Sequence, residues 1–442
     1  MGKKFFLRCE FFGGYLFNRY TLDYWMLTKE TMLFSILWIE TKNKTFAEAI
    51  VANFYRDALI DFSVLSMLED CDCNEKVDIR SYELCIDSCS LLIDTLSRKT
   101  YLSYPFELSL YPTFQCQASC KFCFVDHGVK TESVQLSVND WKMIIDESAA
   151  QGATSVAILG GEPTLYKDIA DLINHIEEVQ IGATITTNGQ FLSPEVEEAL
   201  LSSRYIFPCF SVQSISQRNT ELMGVPYDLA LHNLKRLINK GKKCGINSVL
   251  TTQAFDDIKQ IIDFCLEYGV SVYSGSIYFP KNSFESAYSI KDARVLHEKV
   301  QEYLYRRSVT GFNFDIEGCM YYSAFHDDIT EDAIVTEFEK VSFGCECGNR
   351  KLEIACNGYA YPCCVYMGSQ QKDHLKRYTS IRELWDNSKS LSYFRNLKKM
   401  TPEECRECKF SSFCKGGCPY LITKSGKVLG IQRESRCAVT FQ

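Results

Sequence analysis

Cys116-Gln117-Ala118-Ser119-Cys120-Lys121-Phe122-Cys123 gathers three thiols on one short stretch, directly after a strand-like apolar run at 106–111. In α/β folds, ligand-binding residues collect where strands end. Outward from this point, strand-like runs recur at 154–159, 182–187, 206–211, 246–251 and 270–277, with helical patterns at 138–151, 168–179, 194–203, 228–243 and 256–268 between them. Six such βα units predict an α/β fold class with a mainly parallel sheet and right-handed connections, an open or partial (β/α)6 barrel.

Three thiolates can hold three irons of a [4Fe–4S] cube and leave the fourth iron open to a small molecule, whereas an electron-transfer cluster takes four cysteines. Structural zinc competes for such residues but favours C-x₂-C pairs. The second strand leads into Gly160-Gly161-Glu162-Pro163-Thr164, and the third ends in Thr186-Thr187-Asn188-Gly189. Paired glycines admit close backbone approach, and a carboxylate accepts hydrogen bonds from an ammonium. Taken alone, the first of these also fits an ordinary strand-to-helix turn with Pro near the helix start. Ser211 and Gln213 close the fourth strand, and Asn247 and Thr251 lie on the fifth, as further polar candidates.

Composition narrows the class. Net charge is −8, from 48 Lys and Arg against 56 Asp and Glu, which leaves no basic stripe for nucleic acid. The longest apolar run, Met32 to Ile39, is far short of the roughly 20 residues that span a membrane. Arg8 and Glu10 interrupt the apolar N-terminus before it reaches signal-peptide length, so the expectation is a cytoplasmic protein with neither nucleic acid nor membrane as partner. There, 22 cysteines against 6 histidines point to thiolate-only metal sites, zinc or iron–sulfur, rather than to disulfides.

Many of those cysteines lie late in the chain. Cys345-Glu346-Cys347 precedes Gly358-Tyr359-Ala360-Tyr361-Pro362-Cys363, and Cys405, Cys408, Cys414, Cys418 and Cys437 follow.

Together these motifs resemble the radical S-adenosylmethionine (SAM) superfamily: C-x₃-C-x₂-C with Phe122 before the last cysteine, the GGEP-like turn at Gly160, Gly161, Glu162 and Pro163, and the strand end at Thr187 and Asn188. The resemblance implies that the first cluster is held by Cys116, Cys120 and Cys123, that the GGEP residues meet the methionine amino group of SAM, and that Ser211 and Gln213 face its sugar. Gln213 departs from the acid usual there. The late cysteines resemble the SPASM domain, which holds two auxiliary [4Fe–4S] clusters, making three in all. Carried over, Cys405, Cys408, Cys414 and Cys437 serve one cluster, and Cys345 or Cys347, Cys363 and Cys418 the other. The unused member of the 345/347 pair is the first choice as its fourth ligand, with Cys356 and Cys364 behind it.

Residues 4–70 open with aromatic runs at 5–10, 15–19 and 24–27, a small antiparallel sheet, followed by a capping-box pattern at Thr45 and Glu48 and helical spacing over 61–68. This winged-helix-like α+β pattern resembles a RiPP recognition element, which binds the leader of a ribosomal precursor peptide by strand addition. The domains expected are therefore 1–100 for leader binding, 101–310 for the barrel, and 311–442 for a bridging region and the SPASM domain. The resemblance implies an oxidoreductase: a 5′-deoxyadenosyl radical abstracts hydrogen from the peptide, an external flavodoxin or ferredoxin-like donor supplies electrons, and an intramolecular crosslink forms. A carbon–carbon Lys–Trp bond of the streptide type is the first expectation, with a sactionine or ranthipeptide thioether from Cys as the alternative. Asp315 or Glu317 is the candidate base, and a solvated acidic pair is the plainer reading of both. A non-catalytic multi-cluster electron carrier or redox sensor is the reading from another class.

Overall fold

The computed structural model describes residues 3–20, 23–125, 135–251, 253–277, 290–317, 345–397, 400–408 and 411–433. Its N-terminal part is a four-stranded sheet backed by helices. β1 (Phe5–Glu10), β2 (Gly13–Asn18) and β3 (Tyr24–Leu27) form an antiparallel meander, and β4 (Cys71–Cys73) adds parallel to β1, giving the order β3-β2-β1-β4. Between β3 and β4 lie α1 (Lys29–Thr41), α2 (Lys44–Val51) and α3 (Leu65–Leu68), and α4 (Tyr82–Ser97) follows. The eight-residue apolar run of the sequence is the middle of α1, where Met32 through Trp38 are all buried. A helix apolar on every side belongs in a core.

The expected capping box at Thr45 is corrected. α2 begins at Lys44, and Asn43 caps it by accepting from the Phe46 amide at 3.1 Å. The cause lies one residue earlier, where Lys42 turns left-handed at φ 52° to end α1, so that Asn43 is already extended at the start of the next helix.

Both faces of this sheet are covered, because strand side chains alternate. Leu7, Cys9 and Leu16 join the helical core with Leu33 and Leu37, while Phe6, Tyr15 and Phe17 pack together against Phe106 at the entry to the barrel. Arg8 lies on this second face, fully buried. It donates from Nε to Glu10 at 2.7 Å, from Nη1 to the carbonyls of Pro105 and Gly152 at 3.0 Å each, and from Nη2 to the carbonyl of Tyr104. Glu10 in turn accepts from the Ser103 amide at 2.7 Å. The charges that interrupt the apolar N-terminus are thus an internal pair joining this domain to the barrel.

The barrel strands are β5 (Glu107–Tyr111), β6 (Ser155–Ile158), β7 (Gly182–Thr187), β8 (Ile206–Ser211), β9 (Gly245–Leu250) and β10 (Val272–Ile277), all parallel in sequential order. The helices are α5 (Val138–Ala150), α6 (Ile169–Val179), α7 (Pro194–Ser202), α8 (Gln217–Met223), α9 (Asp228–Asn239), α10 (Phe255–Tyr268) and α11 (Ile290–Arg306). All six strands stand where the sequence predicts them. The sheet also extends at both ends: β11 (Asn313–Glu317) pairs parallel with β10, and β12 (Lys351–Ala355) pairs parallel with β5. β13 (Tyr359–Tyr361) and β14 (Asp373–His374) add antiparallel beyond β12. The cysteine-rich region therefore grows out of the barrel sheet itself.

The helix α12 (Ile381–Asn387) fastens this junction. Glu147 of α5 accepts from the amides of Ile381 and Arg382 at 2.9 and 2.8 Å, Arg382 pairs with Glu75 at 2.6 Å, and the Trp385 indole donates to the Leu102 carbonyl at 2.6 Å. Among the described residues no helix is long and apolar enough to cross a membrane.

Candidate functional site

Three loops at the carboxyl ends of β5, β6 and β7 converge. The cysteine loop after β5 is held by the end of α8: the Ser119 and Lys121 amides donate to the carbonyls of Met223 and Leu222, each at 2.9 Å. Gly224, at φ 71°, lets the loop approach so closely that a Cβ there would lie 2.0 Å from Ser119 Oγ. Cys116, Cys120 and Phe122 pack around Ala118, Met223 and Val225. The loop after β6 lies against the same loop, since the Glu162 amide donates to the Gln115 carbonyl at 2.7 Å. A Cβ on Gly161 would stand 2.3 Å from the Gln115 oxygen and 2.5 Å from that of Phe114.

Glu162 is the hub. Its Oε1 accepts from Thr187 Oγ1 at 2.6 Å and from the Thr164 hydroxyl at 2.7 Å, and its Oε2 accepts from the Asn188 amide at 2.7 Å. Burial pushes this carboxyl above its ordinary range, while those donors pull it back. Asn188 then reaches the cysteine loop directly: its Oδ1 accepts from Gln117 Nε2 at 3.0 Å, and its Nδ2 lies 3.7 Å from Cys116 Sγ. The three motifs of the sequence thus form one connected site.

Across the sheet, strand register sets Ser211, Asn247, Ser274 and Asp315 side by side on four neighbouring strands. Asn247 donates to Ser274 Oγ at 2.8 Å and to Ser276 Oγ at 3.0 Å. Asp315 is exposed on β11 at the end of this row, and the side chain of Glu317 lies outside the described part. Gln213 is fully buried; its Oε1 accepts from the Val249 amide at 2.7 Å, while its Nε2 has no hydrogen-bond partner. Thr251 turns to Gln253, whose Oε1 takes its amide at 2.7 Å. Tyr273 is a packing residue, fully buried with its hydroxyl 3.1 Å from Ser248 Oγ. Tyr278 lies outside the described residues.

The sequence reading missed α8, with Asn219 on it, which accepts from the Gln213 amide at 2.8 Å and donates to the Val225 carbonyl at 3.0 Å. A seven-residue polar stretch carries little periodicity. Its one usable signal is Gly224, a helix-stop residue.

Four of the late cysteines gather around one tyrosine. Tyr366, buried next to Phe394 and Tyr420, has its hydroxyl pushed up by burial first and then by Cys347, Cys418, Cys345 and Cys363 around it. The SPASM resemblance gives one auxiliary cluster Cys363, Cys418 and either Cys345 or Cys347, with the other of that pair as the first candidate for its fourth ligand. Cys363 lies beside Cys364, and the hydrogen bond between them, ahead of burial, raises its thiol. Cys405 and Cys408 share a tight turn, with Cys408 donating its amide to the Cys405 carbonyl at 3.1 Å; Cys414 ends a short helix, and Cys437 lies outside the described residues.

Three loop thiols, a cradle in which glycine backbone meets backbone, and the unpaired buried amide of Gln213 suit a [4Fe–4S] cluster with SAM. The comparisons agree. The radical SAM superfamily model matches residues 110–265, and the SPASM iron–sulfur cluster-binding domain matches 345–409. The crystal structure of SuiB from Streptococcus suis is similar over 99% of this chain and 100% of its own, at 30% identity and a TM-score of 0.83. This chain belongs to the radical SAM superfamily, among its SPASM-domain peptide maturases. SuiB bound to its precursor peptide SuiA matches with the same TM-score at 28% identity, covering 99% of both chains. Among curated sequences, the mycofactocin maturase MftC of Mycolicibacterium smegmatis is 29% identical over 39% of this chain and 44% of its own, so the match spans less than half of that relative. The PqqA peptide cyclase of Granulibacter bethesdensis is 24% identical over 71% of this chain and 82% of its own. Radical SAM and SPASM domains bring [4Fe–4S] and SAM binding with them.

Proposed function

We propose that this chain is a peptide maturase that forms an intramolecular crosslink in a ribosomal precursor peptide, with a carbon–carbon Lys–Trp bond as the first choice. The observation that carries this reading is whole-chain similarity, N-terminal sheet included, to SuiB in complex with a precursor peptide.

In this reading Cys116, Cys120 and Cys123 hold the first cluster, and Gly160, Gly161, Glu162, Gln213 and Asn247 surround SAM. When bound, these groups supply a 5′-deoxyadenosyl radical that abstracts hydrogen from the peptide. The chain does the rest. Glu162, oriented by Thr187, Thr164 and Asn188, accepts the methionine ammonium. Gly161 lets the loop after β6 approach the cysteine loop. Asp315, at the open end of the row from Ser211, is the base that takes the proton lost on ring closure. Two auxiliary clusters, making three in all, rest on Cys345, Cys347, Cys363 and Cys418 and on Cys405, Cys408, Cys414 and Cys437. The sheet edge at β3, with Tyr24 and Trp25 exposed, takes the leader, and a flavodoxin or ferredoxin-like protein delivers electrons.

The test is anaerobic reconstitution followed by incubation with SAM, reductant and the short peptides encoded beside the gene. The expected outcome is 5′-deoxyadenosine together with a peptide lighter by two hydrogens and linked between Lys and Trp. A link at Cys would establish the thioether alternative. Reversible electron uptake with neither SAM cleavage nor altered peptide would establish the electron carrier.

A further inference from the structure

Cys9 and Cys73 face each other inside the N-terminal sheet with their sulfurs 3.7 Å apart. Neither belongs to the motifs that carry the proposed reaction. β4 pairs with β1 so that Leu7 stands opposite Cys73, and Cys9 is two residues further along the same face. Asn74 pins both backbones: its side-chain oxygen accepts from the Cys9 amide at 2.9 Å, and its amide donates to the Leu7 carbonyl at 3.3 Å. A disulfide needs about 2.05 Å between sulfurs, so the two must close by about 1.7 Å, with whatever backbone adjustment that takes.

The two thiols differ in access. Cys73 is half-buried, so a small molecule can reach it, whereas Cys9 is fully buried. Burial, then the contact with Cys73, raises the Cys9 thiol, which fits a resolving rather than an attacking role.

We propose that Cys9 and Cys73 are a redox modification site that forms a reversible disulfide by exchange with a low-molecular-weight disulfide such as oxidised glutathione. The Cys73 thiolate attacks one sulfur of the small disulfide, forming a mixed disulfide and expelling one thiolate. Cys9, losing its proton, then attacks the Cys73 sulfur and expels the second. Two protein thiols give up two electrons and two protons, and one small disulfide becomes two thiols. The bond closes the loop 9–73, which contains α1, α2 and α3, and in sequence Cys9 falls between Arg8 and Glu10, whose side chains join this domain to the barrel from the other face of the sheet. Oxidation therefore staples the sheet beside its anchor, on the side away from the β3 edge.

The experiment equilibrates the full-length holo protein anaerobically in glutathione buffers from fully reduced to fully oxidised, quenches with acid, alkylates, and maps the cysteines by mass. The expected result is coordinated loss of alkylation at Cys9 and Cys73 with one midpoint, and a linked fragment two hydrogens lighter. C9S should accumulate glutathione on Cys73, and C73S should leave Cys9 alkylated. Complete alkylation of Cys9 across the whole series would overturn the proposal. So would oxidation confined to the Cys85/Cys89 pair of α4.

Discussion

Thr187 donates its hydroxyl to Glu162 Oε1 at 2.6 Å, joining the end of β7 to the loop after β6 through two buried side chains. The neighbouring Asn188 amide takes the other carboxylate oxygen at 2.7 Å, and the Asn188 side chain reaches Cys116. A change at Glu162 is thereby felt in the cysteine loop without touching a thiol. This connection makes the carboxylate orientation a property of three loops together.

Glu162 sets a pH dependence. Its folded-state carboxyl holds a proton at pH values where the unfolded chain has released it, because burial raises it. Between the ordinary carboxyl range and that raised value the native state binds more protons than the unfolded state, so its contribution to stability falls as pH rises through the window and is level above it. SAM binding runs the other way, since the ammonium requires the ionised carboxylate. Affinity should therefore weaken as pH falls through the same window. E162Q should bind SAM about 10- to 100-fold more weakly, the worth of a charged hydrogen bond, with a flat pH profile. Anaerobic equilibrium dialysis of the reconstituted protein over a pH series measures both.

Gly161→Ala tests the cradle. The added carbon would meet the backbone oxygens of Gln115 and Phe114 at 2.3 and 2.5 Å, and backbone cannot swing aside as a flexible side chain does. The cysteine loop must shift instead. The variant should fold, keep its auxiliary iron, and lose about a third of the total, the share of one [4Fe–4S] cluster in three. Iron and sulfide analysis with electron paramagnetic resonance reads the outcome, and full iron content with wild-type SAM cleavage would count against the assignment.

Arg8→Ala tests the domain anchor. It strands the Glu10 carboxylate, 1% exposed, without its cation, and removes donors from the carbonyls of Tyr104, Pro105 and Gly152. Breaking a buried pair from one side costs about 3–5 kcal/mol. Urea unfolding followed by tryptophan fluorescence should show the loss, and R8M/E10L, which removes both charges, should recover much of it.

How much of this was legible in the sequence differs from one feature to the next. β7 and β8 stand where the alternation and turn residues put them, and the GGEP and TTN stretches mark two of the loops that meet. What a local pattern cannot carry is pairing at long range. Nothing in Lys351–Ala355 announces that it will lie parallel to Glu107–Tyr111, yet this register sets Glu353, buried and holding the Tyr111 hydroxyl at 2.7 Å, between barrel and cysteine-rich region. Arg8 and Glu10 read as charges breaking an apolar stretch because burial of an ion pair depends on partners nearly a hundred residues away. α8 escaped notice for the opposite reason, being too short for a period to accumulate.

The last prediction concerns the auxiliary cysteines. Cys345, Cys347, Cys363 and Cys418 crowd Tyr366 beside β12, while Cys405 and Cys408 share a turn and Cys414 ends a short helix farther along. Because β12 is part of the barrel sheet, loss of the first group should disturb the barrel, whereas loss of the second should remain more local. Cys414→Ala is thus the cleaner probe of function. If the auxiliary clusters receive an electron from the peptide after hydrogen abstraction, this variant should still form 5′-deoxyadenosine at the Cys116/Cys120/Cys123 cluster and fail to release modified peptide. Deoxyadenosine and peptide product are measured in the same reaction, on soluble protein whose first cluster is intact by spectroscopy. Equal loss of both would assign these cysteines a structural role, as expected where metal binding and folding are coupled. Retention of both would make that cluster dispensable for the crosslink.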